Sequence, residues 1–250
     1  MELIEIARRV ADEIESRVKR ENPNKFGEKI CIGADGTVTQ YIDKVAEDVA
    51  LEIIGNKANI LSEEIGYIDN GKEYTIVIDP IDGTRNASNG IPFYGISIAI
   101  GKEKISDVEY GVVKNIPTGD VYEAFRGKGA FLNGKRINVR NDFKKKLILI
   151  LVLGDSGNEK TWKLVNFHTI RAMGAAALEM CLVASGAAHA YFMPKESLRV
   201  TDFAASCLIV REAGGEVYNA NGEIVDFPFD LKARSSILAV AEPRILEEMI

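Results

Sequence analysis

The stretch TIVIDPIDGTRN, Thr75 to Asn86, ends an apolar run with two carboxylates, Asp79 and Asp82, set three residues apart around a proline. On a continuing strand, residues i and i+3 face opposite sides. Pro80 donates no ladder hydrogen bond, so the chain is expected to turn there and bring both acids to one point. Gly83 and Thr84 follow, and Asn86 to Gly90 suit a helical turn. Backbone N–H groups at such a turn can cradle a phosphate. Three more acids stand at element ends or on helix faces: Glu63, paired with Glu64 in ILSEEIG, Asp202 in VTDFAAS, and Asp43. Singly, each has a plainer role as a solvated loop acid, an N-terminal cap or a solvated helix residue. The two histidines, His168 and His189, read as scaffold residues. A metal here would therefore be held by oxygen, which points to Mg²⁺ or Mn²⁺.

These acids need elements to position them. Leu3, Ile6, Ala7, Val10, Ile14 and Val18 recur at helical spacing and predict a helix from about Leu3 to Arg20. GADGTVTQ, Gly33 to Gln40, reads as a loop of small residues. Ile42 to Ile53 predict a second amphipathic helix, with Thr39 as N-cap and Gly55 as stop. Strand patterns follow in NIL, YTIVID, FYGISIAIG, DVEYGVVKN and DVYEAFR, and Asn133-Gly134 marks a hairpin in AFLNGKRINV. Tyr74 to Val139 is thus expected to be a largely antiparallel sheet. Beyond it, LILILVLG, AAHAYF and SSILAVA read as strands, and GAAALEMCLVASG, DFAASCLIVREAGG and EPRILEEMI as helices. This alternation implies a second α/β layer. Residues 1–140 are expected to form an N-terminal α+β lobe and 141–250 a C-terminal α/β lobe, packed as one unit.

Bulk properties narrow the function. The chain has 250 residues, 46% of them hydrophobic, enough for a sizeable core. Its net charge of -6 argues against nucleic acid as partner. No apolar run approaches the ~20 residues of a membrane helix, and MELIEIARRV lacks the apolar region of a signal peptide. Cys31, Cys181 and Cys207 are far apart, which suits a reduced, cytoplasmic setting.

Haloacid-dehalogenase-type phosphatases are a rival to weigh, with a strand ending in D-x-D-G-T and a later acidic motif approached here by LGDSGNE, whose acidic part runs from Gly154 to Glu159. D-P-I-D-G-T is one residue longer, and the antiparallel block does not suit a parallel doubly wound fold. The order of EE, DPIDGT, GKGAFLNGKRI, GAAALEMCLVASG and TDFAA…EAGG instead resembles the inositol monophosphatase family, closest to its archaeal inositol monophosphatase/fructose-1,6-bisphosphatase branch, from about Thr39 to the C-terminus. The resemblance implies a layered α-β-α-β-α sandwich, a homodimer and two to three Mg²⁺ ions, with Mn²⁺ as a substitute. It implies metal ligation by Glu63, Asp79, the Ile81 carbonyl, Asp82 and Asp202. Glu63 and Thr84 would act on the attacking water, and Asp43 would support a third ion. Asp82, Gly83, Thr84, Arg171, Gly174, Ala175, Ala176, Lys195 and Arg199 would meet substrate. The chemistry is coherent, because phosphate monoesters hydrolyse very slowly unaided and two ions can clamp the attacking and leaving oxygens.

One segment departs from the archaeal pattern. In YFMPKESLRVTD, Met193 stands where an acid is expected and Lys195 where an arginine is expected, while Arg199 is retained. The expected activity is metal-dependent hydrolysis of a small phosphorylated polyol or sugar, inositol-1-phosphate or fructose-1,6-bisphosphate. The altered segment keeps a second enzymatic reading, a phosphatase for NADP or a nucleotide 2′- or 3′-phosphate. A non-catalytic sugar-phosphate-binding regulator is the reading from another class.

Overall fold

The computed structural model describes residues 2–34, 36–140, 142, 146–154, 157 and 159–249. Asp155, Ser156 and Asn158 of the LGDSGNE motif lie outside them.

Two helices open the chain, α1 (Glu2–Val18) and α2 (Tyr41–Ile54), packed on each other. Between them a small hairpin joins β1 (Lys29–Ile32) to β2 (Val38–Gln40). The end of the expected Gly33–Gln40 loop is therefore a strand. Thr39 is not the N-cap either. It pairs with Cys31 in the hairpin, its hydroxyl donates to Glu64, and the helix starts one residue later with Gln40 as N-cap. Gly55 ends α2 with φ 54, as its lack of a Cβ permits.

An eight-stranded sheet follows, built from β3 (Asn59–Ser62), β4 (Gly66–Ile68), β5 (Thr75–Asp82), β6 (Gly95–Gly101), β7 (Tyr110–Asn115), β8 (Val121–Phe125), β9 (Gly129–Leu132) and β10 (Lys135–Ile137). Its order is β10-β9-β8-β7-β6-β5-β3-β4. Every pairing is antiparallel except β3 with β5. Asn133 at φ 50 and Gly134 at φ 74 make the β9–β10 turn, the geometry expected of Asn-Gly. A short helix, α3 (Thr84–Ser88), follows β5 directly.

The second layer holds β11 (Ile148–Leu151), α4 (Glu159–Phe167), β12 (Thr169–Arg171), α5 (Ala176–Ala184), β13 (Ala190–Leu198), α6 (Val200–Glu212), β14 (Glu216–Tyr218), β15 (Ser235–Val240) and α7 (Arg244–Met249). Its five strands run in the order β12-β11-β13-β15-β14. The sequence pattern did not resolve β4, β12, β14 or α4, all short or weakly periodic.

Burial explains the layering. Ile76, Ile78, Ile96, Ile98 and Val112 share a core with Ile6, Val10, Ile14, Ile42 and Ala46 of α1 and α2. Val77, Ala99 and Val113 point the other way, into a core with Leu178, Cys181, Phe203 and Ile209 of α5 and α6. Helices α5 and α6 are buried nearly all round, lying between the two sheets. The result is an α-β-α-β-α sandwich, with α4 and α7 packed together and giving Leu164, Ile245 and Met249 to the second core. No helix among the described residues is long and apolar enough to cross a membrane.

Candidate metal and phosphate site

The two acids of β5 meet through a bulge. Asp79 pairs with Ser97 and Asp82 with Gly95, so three steps along β5 span two along β6. Odd-numbered residues up to Asp79 face α5 and α6. The extra residue reverses the alternation, so that Ile81 enters the α1/α2 core and Asp82 turns back to the α5 side. Pro80 sits in the irregular step, where its missing N–H costs nothing. The Ile81 N–H donates to Asp79 Oδ1 at 3.0 Å and fixes the turn. The Leu178 N–H, in the first turn of α5, donates to Asp82 Oδ2 at 3.2 Å.

Gly83 then takes φ 90, a left-handed conformation, and serves as N-cap of α3. A Cβ there would lie 3.0 Å from the Ala175 Cβ and 3.3 Å from the Phe93 carbonyl oxygen. Only glycine fits both the angle and the space. The turn presents Thr84, whose hydroxyl lies 2.8 Å from Asp43 Oδ1 and 3.0 Å from the Ile81 carbonyl oxygen.

Asp43 and Asp202 are placed by the same device. Each is the third residue of its helix and accepts the N–H of the residue before the helix. Gln40 donates to Asp43 Oδ2 at 2.9 Å, and Arg199 to Asp202 Oδ2 at 2.8 Å. A carboxylate in a first helical turn is favoured by the helix dipole. Neither acid is solvated, since both are only 5% exposed. Burial and this capping role correct the plainer sequence reading of Asp43 as a solvated helix residue. Glu63 follows β3 and pairs with the Arg199 guanidinium.

Glu63, Asp79 and Asp202 offer carboxylate oxygens that all lie within 4.8 Å of one another. Their field is hostile to negative charge. Burial, then the charges of Glu63, Asp82 and Asp202, hold the Asp79 carboxyl well above the usual range. Burial and Asp202 push Asp82 up to about 8. Burial pushes Asp43 up to about 7, against the hydrogen bonds from Gln40 and Thr84. Converging buried carboxylates fit a divalent cation, which supplies the opposite charge and takes hard oxygen ligands.

These residues line a cleft of about 280 Å³, with Glu63, Asp79, Ile81, Asp82, Gly83, Thr84, Gly174, Ala176, Arg199 and Asp202 among its walls. Ala175 is buried behind the wall, against Gly83. Asp43 reaches the cleft through Thr84. Arg171, exposed at the end of β12, donates to the carbonyl of Ile170, and neither it nor the exposed Lys195 lines the cleft. A larger hollow of about 530 Å³ near Tyr74, Tyr110 and Phe125 brings no comparable set of acids together.

Sequence reasoning passed over several wall residues. Val152, Tyr191 and Leu198 join Met193 in an apolar side of the cleft. Glu179, 1% exposed, accepts the Met173 and Gly174 N–H groups, and Asn86 donates to the Met173 carbonyl at 2.6 Å. Together they clamp the loop before α5. The signal for Glu179 was present, as the single acid in the small, apolar run GAAALEMCLVA. The histidines are scaffold residues as expected, His168 and His189 accepting the N–H groups of Leu147 and Ile148 through Nδ1.

Comparison with known proteins agrees. The profile of the inositol monophosphatase family matches residues 2–250, starting well ahead of Thr39. The bifunctional NADP phosphatase/NAD kinase of Methanococcus maripaludis is 39% identical over 97% of this chain, which spans only 48% of that protein. The fructose-1,6-bisphosphatase/inositol-1-monophosphatase of Methanothermobacter thermautotrophicus is 38% identical over 98% of this chain and 94% of its own length. A solved inositol monophosphatase-fructose 1,6 bisphosphatase superposes with a TM-score of 0.89 at 34% identity, covering 99% of this chain and 98% of that one. With a family profile that spans nearly the whole chain and relatives this similar over nearly their full length, the chain belongs to the inositol monophosphatase family.

Proposed function

We propose that the chain is a phosphoric monoester hydrolase acting on a small phosphorylated polyol or sugar, with inositol-1-phosphate and fructose-1,6-bisphosphate as leading substrates. The observation that carries this reading is the bulge that turns Asp79 and Asp82 to one side, where Glu63 and Asp202 meet them. Glu63, Asp79, Asp82, Asp202 and the Ile81 carbonyl would hold two Mg²⁺ ions, with a third supported by Asp43; Mn²⁺ is the natural substitute. Bound there, the ions would neutralise a phosphate dianion and acidify a water molecule.

The chain's own groups do the rest. Gly83 and Thr84, with the N-terminal amides of α5, receive the phosphate oxygens. Glu63 orients the attacking water from one side. On the other, Thr84 Oγ1 accepts a proton from that water and passes its own to Asp43 Oδ1, 2.8 Å away. No side chain is bonded to phosphorus at any stage. Acids from both the 1–140 and 141–250 lobes serve one cleft, so the lobes act as a unit; the family resemblance implies a homodimer, and the scattered cysteines suit a cytoplasmic setting.

A second reading is favoured by one wall. Met193, with Val152, Tyr191 and Leu198, gives an apolar surface where the archaeal pattern has an acid, and one relative is named as an NADP phosphatase. Such a wall suits the ribose and base of a 2′-phosphonucleotide. Phosphate release from inositol-1-phosphate, fructose-1,6-bisphosphate and NADP, with and without Mg²⁺, separates the readings. Release that needs Mg²⁺ and is abolished by Glu63→Gln is the expected result. Turnover of NADP alone selects the second reading, and no turnover of any ester leaves only the non-catalytic regulator.

A further inference from the structure

One of the side chains that line the acidic cleft is a cation bonded to two of its acids. Arg199 stands between the end of β13 and the start of α6, its side chain only 17% exposed. One guanidinium nitrogen, Nη1, pairs with Glu63 Oε1. Nη2 and Nε lie 3.1 and 3.2 Å from Asp202 Oδ1. Glu63 and Asp202 are two of the three acids whose oxygens converge. The other Asp202 oxygen, Oδ2, accepts the Arg199 N–H at 2.8 Å in the helix cap. The guanidinium thus holds Oδ1 from two nitrogens, and its Nε lies 3.4 Å from Oδ2 as well.

A divalent ion and this guanidinium therefore compete for the same two carboxylates, Glu63 and Asp202, and two cations brought to one pair of acids repel. We propose that Arg199 is a tethered counter-cation: its guanidinium fills the gap between Glu63 and Asp202 until a divalent ion enters, and is then displaced into the cleft, free to meet a substrate phosphate. The inference rests on the metal-binding reading above. It gives the sequence-predicted substrate residue a second task, keeping a nest of carboxylates folded when no metal is present. The planar fork suits the role, because it can bond two carboxylates at once.

The test uses the full chain stripped with EDTA and titrated with Mn²⁺ alone, by calorimetry and thermal melting. Arg199→Gln is expected to bind Mn²⁺ at least about tenfold more tightly than the wild type. Without metal it should melt lower than the wild type, and saturating Mn²⁺ should close the gap. Unchanged or weaker affinity, or a melting gap that Mn²⁺ does not narrow, overturns the proposal. Should the glutamine variant fail to fold, a crystal structure of the wild type with Mn²⁺ decides: Arg199 parted from Glu63 is expected, and an intact Arg199 bridge between Glu63 and Asp202 overturns it. Asp79→Asn is the control. If the wild type binds Mn²⁺ no better than this variant, the metal reading falls together with the inference; if binding depends on Asp79 and ignores Arg199, the inference alone falls.

Discussion

The Thr84 hydroxyl has one proton and two acceptors within reach, the Asp43 carboxylate and the Ile81 carbonyl. Above about pH 7 Asp43 is a charged acceptor and makes the stronger bond, so the proton then belongs on the Asp43 side, leaving the oxygen lone pairs turned to the cleft. Thr84→Ala is expected to lower kcat by about 10²–10³-fold with KM nearly unchanged, and Thr84→Ser to keep most of the rate. Steady-state phosphate release measures both; an alanine variant with wild-type kcat would remove Thr84 from the proton path. At this scale the sequence was legible where a motif is contiguous. Asp79, Asp82, Gly83 and Thr84 could be grouped from twelve letters. Asp43 could not be joined to them by spacing, because the bond to Thr84 crosses 41 residues and depends on how α2 meets β5. The Arg199 pairing with Glu63 is likewise invisible to spacing, because it joins the start of α6 to the end of β3, whereas Asp202 stands only three residues along.

Among elements, the starts of helices do the positioning. Helices α2 and α6 each place an acid at the third position, α5 aims an N–H at Asp82, and α3 begins on Gly83. Long periodic helices were readable because burial of one stripe fixes their phase. The two-residue Asn133-Gly134 turn was equally plain, whereas the β1–β2 hairpin was hidden by short strands with exposed side chains. Gly83 tests the element scale directly. Gly83→Ala forces a Cβ onto a left-handed residue and against Ala175. It is expected to destabilise the fold by about 1–3 kcal/mol and to lower activity by displacing Thr84. Urea unfolding checks the first part, and a wild-type midpoint would show that the turn tolerates a side chain.

For the molecule as a whole, one buried acid outside the cleft should shape the response to pH. Glu47, on α2 and 3% exposed, accepts from Ser62 Oγ at 2.6 Å through Oε2, and its Oε1 has no hydrogen-bond partner. Burial pushes its carboxyl up to about 7 from 4.5, against the Ser62 hydrogen bond. The unfolded chain thus releases this proton first as pH rises from 4.5 to 7, and the fold loses stability across that window by up to about 3 kcal/mol. Below the window both states are protonated, and above it the penalty is constant. The stability difference between wild type and Glu47→Gln, measured by urea unfolding in EDTA at pH 5, 6 and 7.5, should shift in favour of the variant with rising pH; a flat difference would assign the proton elsewhere. The bulge in β5 has a reach of its own at this scale. Whether Asp82 joins Asp79 is a matter of odd or even, and the same residues could zip the same two strands without the bulge, with Ile81 rather than Asp82 opposite Gly95. Asp82 would then be carried to the far side of the sheet, beneath α1 and α2, and a protein of nearly identical outline would have nowhere to gather its charge.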